Sequence, residues 1–280
     1  MELSSAMRRA IRRNEPIEVE GLTLYPIRVA EYEEFLTAKP AIEVMQQSFP
    51  VQLLSVPLLQ ALYALDYEAL TRGERPCGLF YRCLLFLALS LRLGEGEEPA
   101  ARVKRFRVVV DPDDPGRLKA LRFVLRGEEA AEITPIVFHR LRPILAAQNG
   151  IALVSENANP DLVQAERDIA EAKGPKLDGK LDDLIAAVAA LSGADEGEIE
   201  DWPIRKLRNR QQALDRAFRF LVCGIGETQG TKWKDGNPYP SIFYDRLQTD
   251  STALISMDQF AGGEGLRAMQ NQGAAAPPRN

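Results

Sequence analysis

The sequence has few of the side chains on which most enzymes and metal sites depend. Its 280 residues contain a single histidine, His139, so histidine-based triads and histidine metal sites are not expected. Its three cysteines, Cys77, Cys83 and Cys223, have no CxxC spacing, and one would remain unpaired if the other two were bridged. This use of cysteine is typical of the cytoplasm and excludes a disulfide-rich secreted domain.

Long hydrophobic runs are also absent. The most apolar stretch, LFYRCLLFLALSLRL at 79–93, is too short to cross a bilayer and contains two arginines, so it predicts a buried core helix. The start, MELSSAMRRA, lacks the apolar segment of a signal peptide, which predicts a cytoplasmic protein. A net charge of −5 argues against a nucleic-acid-binding surface over the whole protein, and the basic RRAIRR at 8–13 indicates a solvated arm.

The apolar pattern predicts an α+β protein that is mainly α-helical, with small antiparallel strand elements in the N-terminal half and a helical C-terminal half. Alternation on both sides of Gly21 predicts a strand pair within residues 16–29, and the apolar runs 103–110 and 118–125 predict a hairpin with a long loop. The predicted regions are a basic N-terminal arm (1–15), an α+β region (16–154), a helical region (155–250) and a disordered tail (251–280).

The segment TPIVFHRLRPILAAQNGI, residues 134–151, predicts one helix that carries the single histidine. Thr134 is a good N-cap, Pro135 suits the first turn, and Gly150 can end the helix. Apolar residues at spacings of three and four form one stripe, which leaves His139 on the side away from the core. Pro143 removes one backbone donor and predicts a kink. His139 is therefore interpreted as a surface residue and not as a catalytic one.

Three other patterns resemble chemical sites without completing them. The run DPDDPG at 111–116 begins like a calcium loop, but proline and arginine occupy later ligand positions, so it is interpreted as a turn. Gly224, Gly226 and Gly230 follow a predicted helix and not a strand, which favours a helix end over a phosphate loop. The 40 acidic residues cannot be paired into a catalytic site from sequence alone.

The predicted helical region contains helices at 161–173 and 177–191 and a third that begins near Pro203. In the third, Ile204, Leu207, Leu214, Phe218 and Leu221 recur at nearly heptad spacing, with Gln211 as a polar interruption. A segment rich in proline and aromatic residues follows this helix. Internal packing is the favoured interpretation of both features, and partner binding is the alternative. The candidate partner-binding residues are Trp233, Tyr239, Phe243, Tyr244, Leu207, Leu214 and Phe218.

The order of motifs resembles a family of phage and prophage proteins. The stretch ITPIVFHRLRPILAAQNGI is followed by NPDLVQAERDI, an amphipathic helix, an acidic turn and WPIRKLRNRQQALDRAFRFLV. Over roughly residues 80–245 this order is similar to the tail assembly chaperones of long-tailed bacteriophages. Pro143 and the NPYPSIFYDRL ending depart from the family pattern.

The resemblance implies a non-enzymatic protein of the bacterial host cytoplasm that needs no cofactor or metal. Its implied partner is the tape-measure protein, whose apolar helices it would keep soluble, with the tail-tube protein as a second partner. Neither nucleic acid nor membrane is implied, and a homo-oligomer is compatible with the family. Two alternatives stay open: a structural tail or baseplate component that is retained in the virion, and a carboxylate-dependent enzyme with a deep acidic pocket.

Overall fold

A computed structural model describes residues 3–125, 130–154, 159, 161–163, 165, 168, 180–233 and 236–242. The chain forms two compact units. The first unit comprises Met1–Leu153 and Gly179–Leu214, and the second comprises Val154–Asp178 and Asp215–Asn280. The predicted class is confirmed, because the protein is mainly helical with two small antiparallel sheets in its N-terminal half. The predicted boundary at residue 155 differs from these units, since residues 179–214 pack with the N-terminal region.

The first unit begins with a short basic helix and a hairpin. The helix is α1 (Ser5–Arg13), and the hairpin pairs β1 (Ile17–Val19) with β2 (Leu22–Leu24). Glu20 and Gly21 both have positive φ angles, of 52° and 74°, which suit a two-residue hairpin turn, so the predicted strand pair is confirmed. Residues 8–13 belong to α1, in which Ile11 packs against the core and the four arginines are exposed.

Five helices and a three-stranded sheet follow the hairpin. After a 3₁₀ turn at Val29–Glu31, the helices are α2 (Tyr32–Ala38), α3 (Pro40–Glu43), α4 (Leu58–Thr71) and α5 (Leu79–Ser90). A short helix, α6 (Pro99–Val103), leads into the sheet of β3 (Arg107–Val110), β4 (Leu118–Val124) and β5 (Ala130–Ile133), in the order β3-β4-β5. The predicted hairpin is β3–β4. Strand β5 was missed, because AAEI has neither β-branched alternation nor an aromatic residue.

The predicted core helix is α5, which is buried continuously from Cys83 to Ser90. Its N-terminus begins at Gly78, which has no side chain to cap the helix. Asp66 of α4 takes over this role, because its carboxylate accepts hydrogen bonds from the Gly78 and Phe80 N–H groups at 2.9 and 3.1 Å. An acidic group is favourable at the positive end of a helix dipole, so α4 and α5 are joined by more than apolar contact.

The segment with the single histidine forms the predicted helix, α7 (Pro135–Gln148). Thr134 Oγ1 accepts a hydrogen bond from the Val137 N–H at 3.2 Å, as expected of an N-cap, and the helix runs without a break through Pro143. His139 is exposed, as predicted. Arg142 was expected on the outer side but is half-buried, where its guanidinium donates to Ile42 O and Val44 O and caps α3.

Three further helices complete the described chain: α8 (Leu181–Ser192), α9 (Glu196–Glu200) and α10 (Ile204–Thr228). They include the predicted helices at 177–191 and after Pro203. The predicted helix at 161–173 lies mostly outside the described residues, and its described members at 161–163, 165 and 168 are helical. The predicted tail at 251–280 lies wholly outside them.

Two residues at the end of α7 hold the hairpin against the core through hydrogen bonds of their buried side-chain amides. Gln148 Nε2 donates to Leu24 O at 3.0 Å and to Glu15 O at 3.3 Å. Asn149 Oδ1 accepts from the Ile27 N–H at 2.9 Å, and its Nδ2 donates to Leu145 O at 2.9 Å. Both residues are only 1% exposed, so water cannot replace these partners.

We therefore expect Asn149→Ala to destabilise the protein, because the Ile27 N–H would be left buried without an acceptor. The expected loss in the free energy of unfolding is about 1–3 kcal/mol, measured by urea unfolding. Asn209→Ala is the matched control, since Asn209 is exposed on α10, and we expect it to change stability by less than about 0.5 kcal/mol. Equal effects of the two substitutions would contradict the role assigned to Asn149.

Candidate partner-binding surface

The described residues contain no cluster of three or more histidine, cysteine or acidic side chains arranged to hold a metal ion. His139 is exposed on α7, and Asp111 in the calcium-like loop accepts from the Asp113 N–H and pairs with Lys119 at 3.3 Å. That loop is tied to α4 by Gln60, whose Nε2 donates to Gly116 O at 3.0 Å and whose Oε1 accepts from the Leu118 N–H at 2.6 Å. The loop has the contacts of a structural turn.

The cysteines do not have the surroundings of activated nucleophiles. Cys83 and Cys223 are buried, and burial raises the pKa of the Cys83 thiol far above its ordinary value. Cys77 is exposed, but partial desolvation and the hydrogen bond from its Sγ to Asp66 Oδ1, at 3.0 Å, raise the pKa of its thiol as well. A raised pKa reduces the thiolate fraction at neutral pH and with it the nucleophilicity.

The apolar stripe of α10 divides into two parts with different exposure. In the first unit, Ile204 and Leu207 are completely buried and Leu214 packs partly buried against the same core. Leu207 was predicted as a partner-binding residue, and its side chain is 0% exposed because the core covers it. Heptad spacing shows which residues share a helix face, but it does not show what covers that face.

In the second unit, the same helix exposes a group of large apolar side chains that we call the C-terminal seam. It consists of Phe218, Leu221, Val222 and Ile225, which are 47, 55, 66 and 56% exposed. Phe218, Leu221 and Ile225 continue the heptad spacing of the buried part, and Val222 widens the stripe by one position. Phe218 was predicted as a candidate. Val222 and Ile225 were missed, although their positions at i+4 and i+7 from Phe218 carried the signal.

The positions beside the C-terminal seam carry small side chains or charges that are already paired. Ala217 and Gly224 lie on one side of it in the heptad. On the other side, Asp215 is hydrogen-bonded to Arg219, with Arg219 Nε donating to Asp215 Oδ1 at 3.0 Å. The seam is therefore apolar across its width, and its borders leave room for the close approach of a helix.

The aromatic segment after α10 packs against the same helix. Arg219 Nη1 donates to the Tyr239 hydroxyl at 2.6 Å, and its guanidinium lies 5.5 Å from the centre of the Tyr239 ring. The Trp233 ring lies next to Gly226, where an added Cβ would be 3.6 Å from Trp233 Cζ2, and Trp233 remains 37% exposed. Both rings thus make contacts within their own chain, which is the favoured interpretation from the sequence. Phe243 and Tyr244 lie outside the described residues.

Gly224 and Gly226 lie within α10, and Gly230 has a φ of 86° just beyond its end. The Thr231 N–H donates to Gly226 O at 2.9 Å, which closes the last turn of the helix. This geometry agrees with the predicted helix end.

No family model, curated protein or solved structure matches the chain. No helix among the described residues is long and apolar enough to cross a membrane. The chemical character of this candidate site therefore depends on its own residues: four exposed apolar side chains on one helix face, with paired charges beside them.

We expect Cys77 to react slowly with iodoacetamide despite its exposure, because its raised pKa keeps the thiol protonated at neutral pH. The measurement is the alkylation rate of Cys77 by mass spectrometry between pH 7 and 10, with the same chain unfolded in urea as the control. The folded rate should lie below the unfolded rate at neutral pH, and the two should approach each other as the pH rises through the raised pKa. A folded rate equal to the unfolded rate at pH 7 would contradict the assigned environment.

Proposed function

We propose that this chain is a non-enzymatic tail assembly chaperone of a long-tailed bacteriophage or prophage. In this proposal it acts in the host cytoplasm and binds the tape-measure protein, whose apolar helices it keeps soluble until the tail tube forms around them. The observation that carries the proposal is the C-terminal seam, an apolar stripe on a long helix that the described part of the chain leaves exposed. The motif order described above supplies the family context.

The shape of the seam favours a helical client. Residues at heptad spacing on one helix insert between the side chains of a second helix, which is the arrangement of coiled coils. The exposed residues extend over about two helical turns, from Phe218 to Ile225, so the client would be bound along a short stretch. Fully burying a large apolar side chain contributes about 1.5–3 kcal/mol, and because the seam side chains are already about half covered, each contributes roughly half of that when a client binds. Four such contributions are enough for a transient complex.

The chemistry of the described residues favours binding over catalysis. Three titratable side chains have structural partners: Asp66 caps α5, Asp111 stabilises a turn, and Cys77 is hydrogen-bonded to Asp66. A protein that covers apolar helices needs an exposed apolar surface of its own and enough net charge to stay in solution. The net charge of −5 meets the second requirement.

The proposal predicts that co-expression with the tape-measure protein of the same phage or prophage moves that protein from the pellet to the soluble fraction. Leu221→Glu should abolish this rescue, because a buried carboxylate without a partner is strongly unfavourable at an apolar interface. We expect it to weaken binding by about 30-fold or more, corresponding to roughly 2 kcal/mol. The readouts are the soluble fraction of the tape-measure protein and the Kd of the complex by calorimetry.

Leu70→Glu is the matched control, because Leu70 is 62% exposed on helix α4 of the other unit and is similar in exposure to the seam residues. It should leave the rescue unchanged. If the tape-measure protein stays in the pellet with the wild-type chain, the chaperone proposal fails. If the chain is instead found in mature tails at a fixed copy number, the structural tail component is the correct alternative. If rescue survives Leu221→Glu, the client binds elsewhere.

A further inference from the structure

On a second surface of the protein, positively charged side chains lie around one depression. The depression has a volume of about 420 Å³ and lies beside α1 in the first unit. Arg8, Arg12 and Arg205 are among the residues that line it. No acidic residue is among the described residues that line it, and none of the three arginines forms an ion pair with a described carboxylate. Three like charges around one space favour an anion between them.

The third arginine is held in place by the fold. Arg205 Nη1 donates to Ile11 O at 2.7 Å, so this side chain bridges the start of α10 and the buried side of α1. Arg205 is partly buried, and a guanidinium has five N–H donors, so donors remain after this bond is made. Arg8 and Arg12 are one helical turn apart on α1 and therefore lie on the same helix face. The charge is thus presented by rigid helices.

The other residues that line the depression are mostly apolar. They are Leu3, Ile11 and Ala147, together with Ser5. No aromatic ring lies among the described lining residues, so the base stacking that supports single-stranded nucleic acid binding is absent from the lining. The apolar side of α1, including Ile11, already packs on the core, so the helix cannot insert into a bilayer without leaving its place.

We propose that this arginine depression is a binding site for a phosphate group, with the anion held by Arg8, Arg12 and Arg205. Arginine guanidinium groups match the oxygen geometry of phosphate and bind it through paired, charge-assisted hydrogen bonds. The apolar lining residues Leu3, Ile11 and Ala147 suit the organic part of a phosphate ester. This site shares no residue with the C-terminal seam, and the inference does not depend on the proposed function.

The test is calorimetric titration of the full chain with inorganic phosphate, at an ionic strength matched with sodium chloride. Wild-type protein should bind phosphate, and Arg8→Gln/Arg12→Gln should weaken binding at least about tenfold, because two charged donors are lost. The matched control is Arg9→Gln/Arg13→Gln, which removes the same charge from the same helix at positions that do not line the depression. It should weaken binding less than about threefold, through long-range charge alone.

Two further titrations distinguish the sources of the phosphate. Tighter binding of adenosine monophosphate than of inorganic phosphate, lost in Arg8→Gln/Arg12→Gln, supports the site with a nucleotide as ligand. Binding to phosphatidylglycerol vesicles that inorganic phosphate competes away supports it with a lipid headgroup. Absence of binding to inorganic phosphate and adenosine monophosphate overturns the proposal. The proposal is also overturned if Arg8→Gln/Arg12→Gln and Arg9→Gln/Arg13→Gln weaken the binding of phosphate, and of a DNA duplex, to the same extent. That result would indicate a diffuse basic surface.

Discussion

The structure of the first unit depends on the hydrogen bonds made by the backbone of residues 25–29, which crosses the core without a neighbouring strand to pair with. Buried N–H and carbonyl groups need partners, and here each partner comes from a distant part of the chain. Ser90 O accepts from the Tyr25 N–H, Asn149 Oδ1 from the Ile27 N–H, and Trp202 O from the Val29 N–H. The Ile204 N–H in turn donates to Ile27 O at 3.0 Å. One extended segment therefore fixes the positions of α5, the end of α7 and the start of α10.

This constraint also shows where sequence reasoning succeeds and where it stops. Local features could be predicted, because a turn at Gly21, a cap at Thr134 and the periodicity of α10 depend on neighbouring residues. The contact between Asn149 and Ile27 could not be predicted, since 122 positions separate the two residues. An asparagine near a helix end can also make several different hydrogen bonds to the backbone. Strand β5 forms because its backbone pairs with the edge of β4, and its own residues do not predict a strand.

The candidate site illustrates the same division. The heptad spacing in α10 identified one helix face, but it assigned Leu207 and Phe218 to the same role. Only the packing separates them: Leu207 is part of the core, whereas Phe218 is exposed. The arginine depression is similar, because Arg8 and Arg205 are nearly two hundred residues apart in sequence and meet through the docking of α1. Whether a residue on a predicted helix face is available for binding depends on which elements of the fold pack over that part of the face.

Under the proposed function, the paired or uncharged borders of the C-terminal seam have a consequence for how a client helix would be selected. In coiled coils, charges beside the apolar stripe usually fix the register and choice of partner. Here Ala217 and Gly224 carry no charge, and Asp215 is hydrogen-bonded to Arg219. Sliding a client helix by one heptad would therefore change the contact energy little. Such a seam discriminates weakly among similar repeats, so the number of copies bound to a long client would follow the client's length more than its sequence.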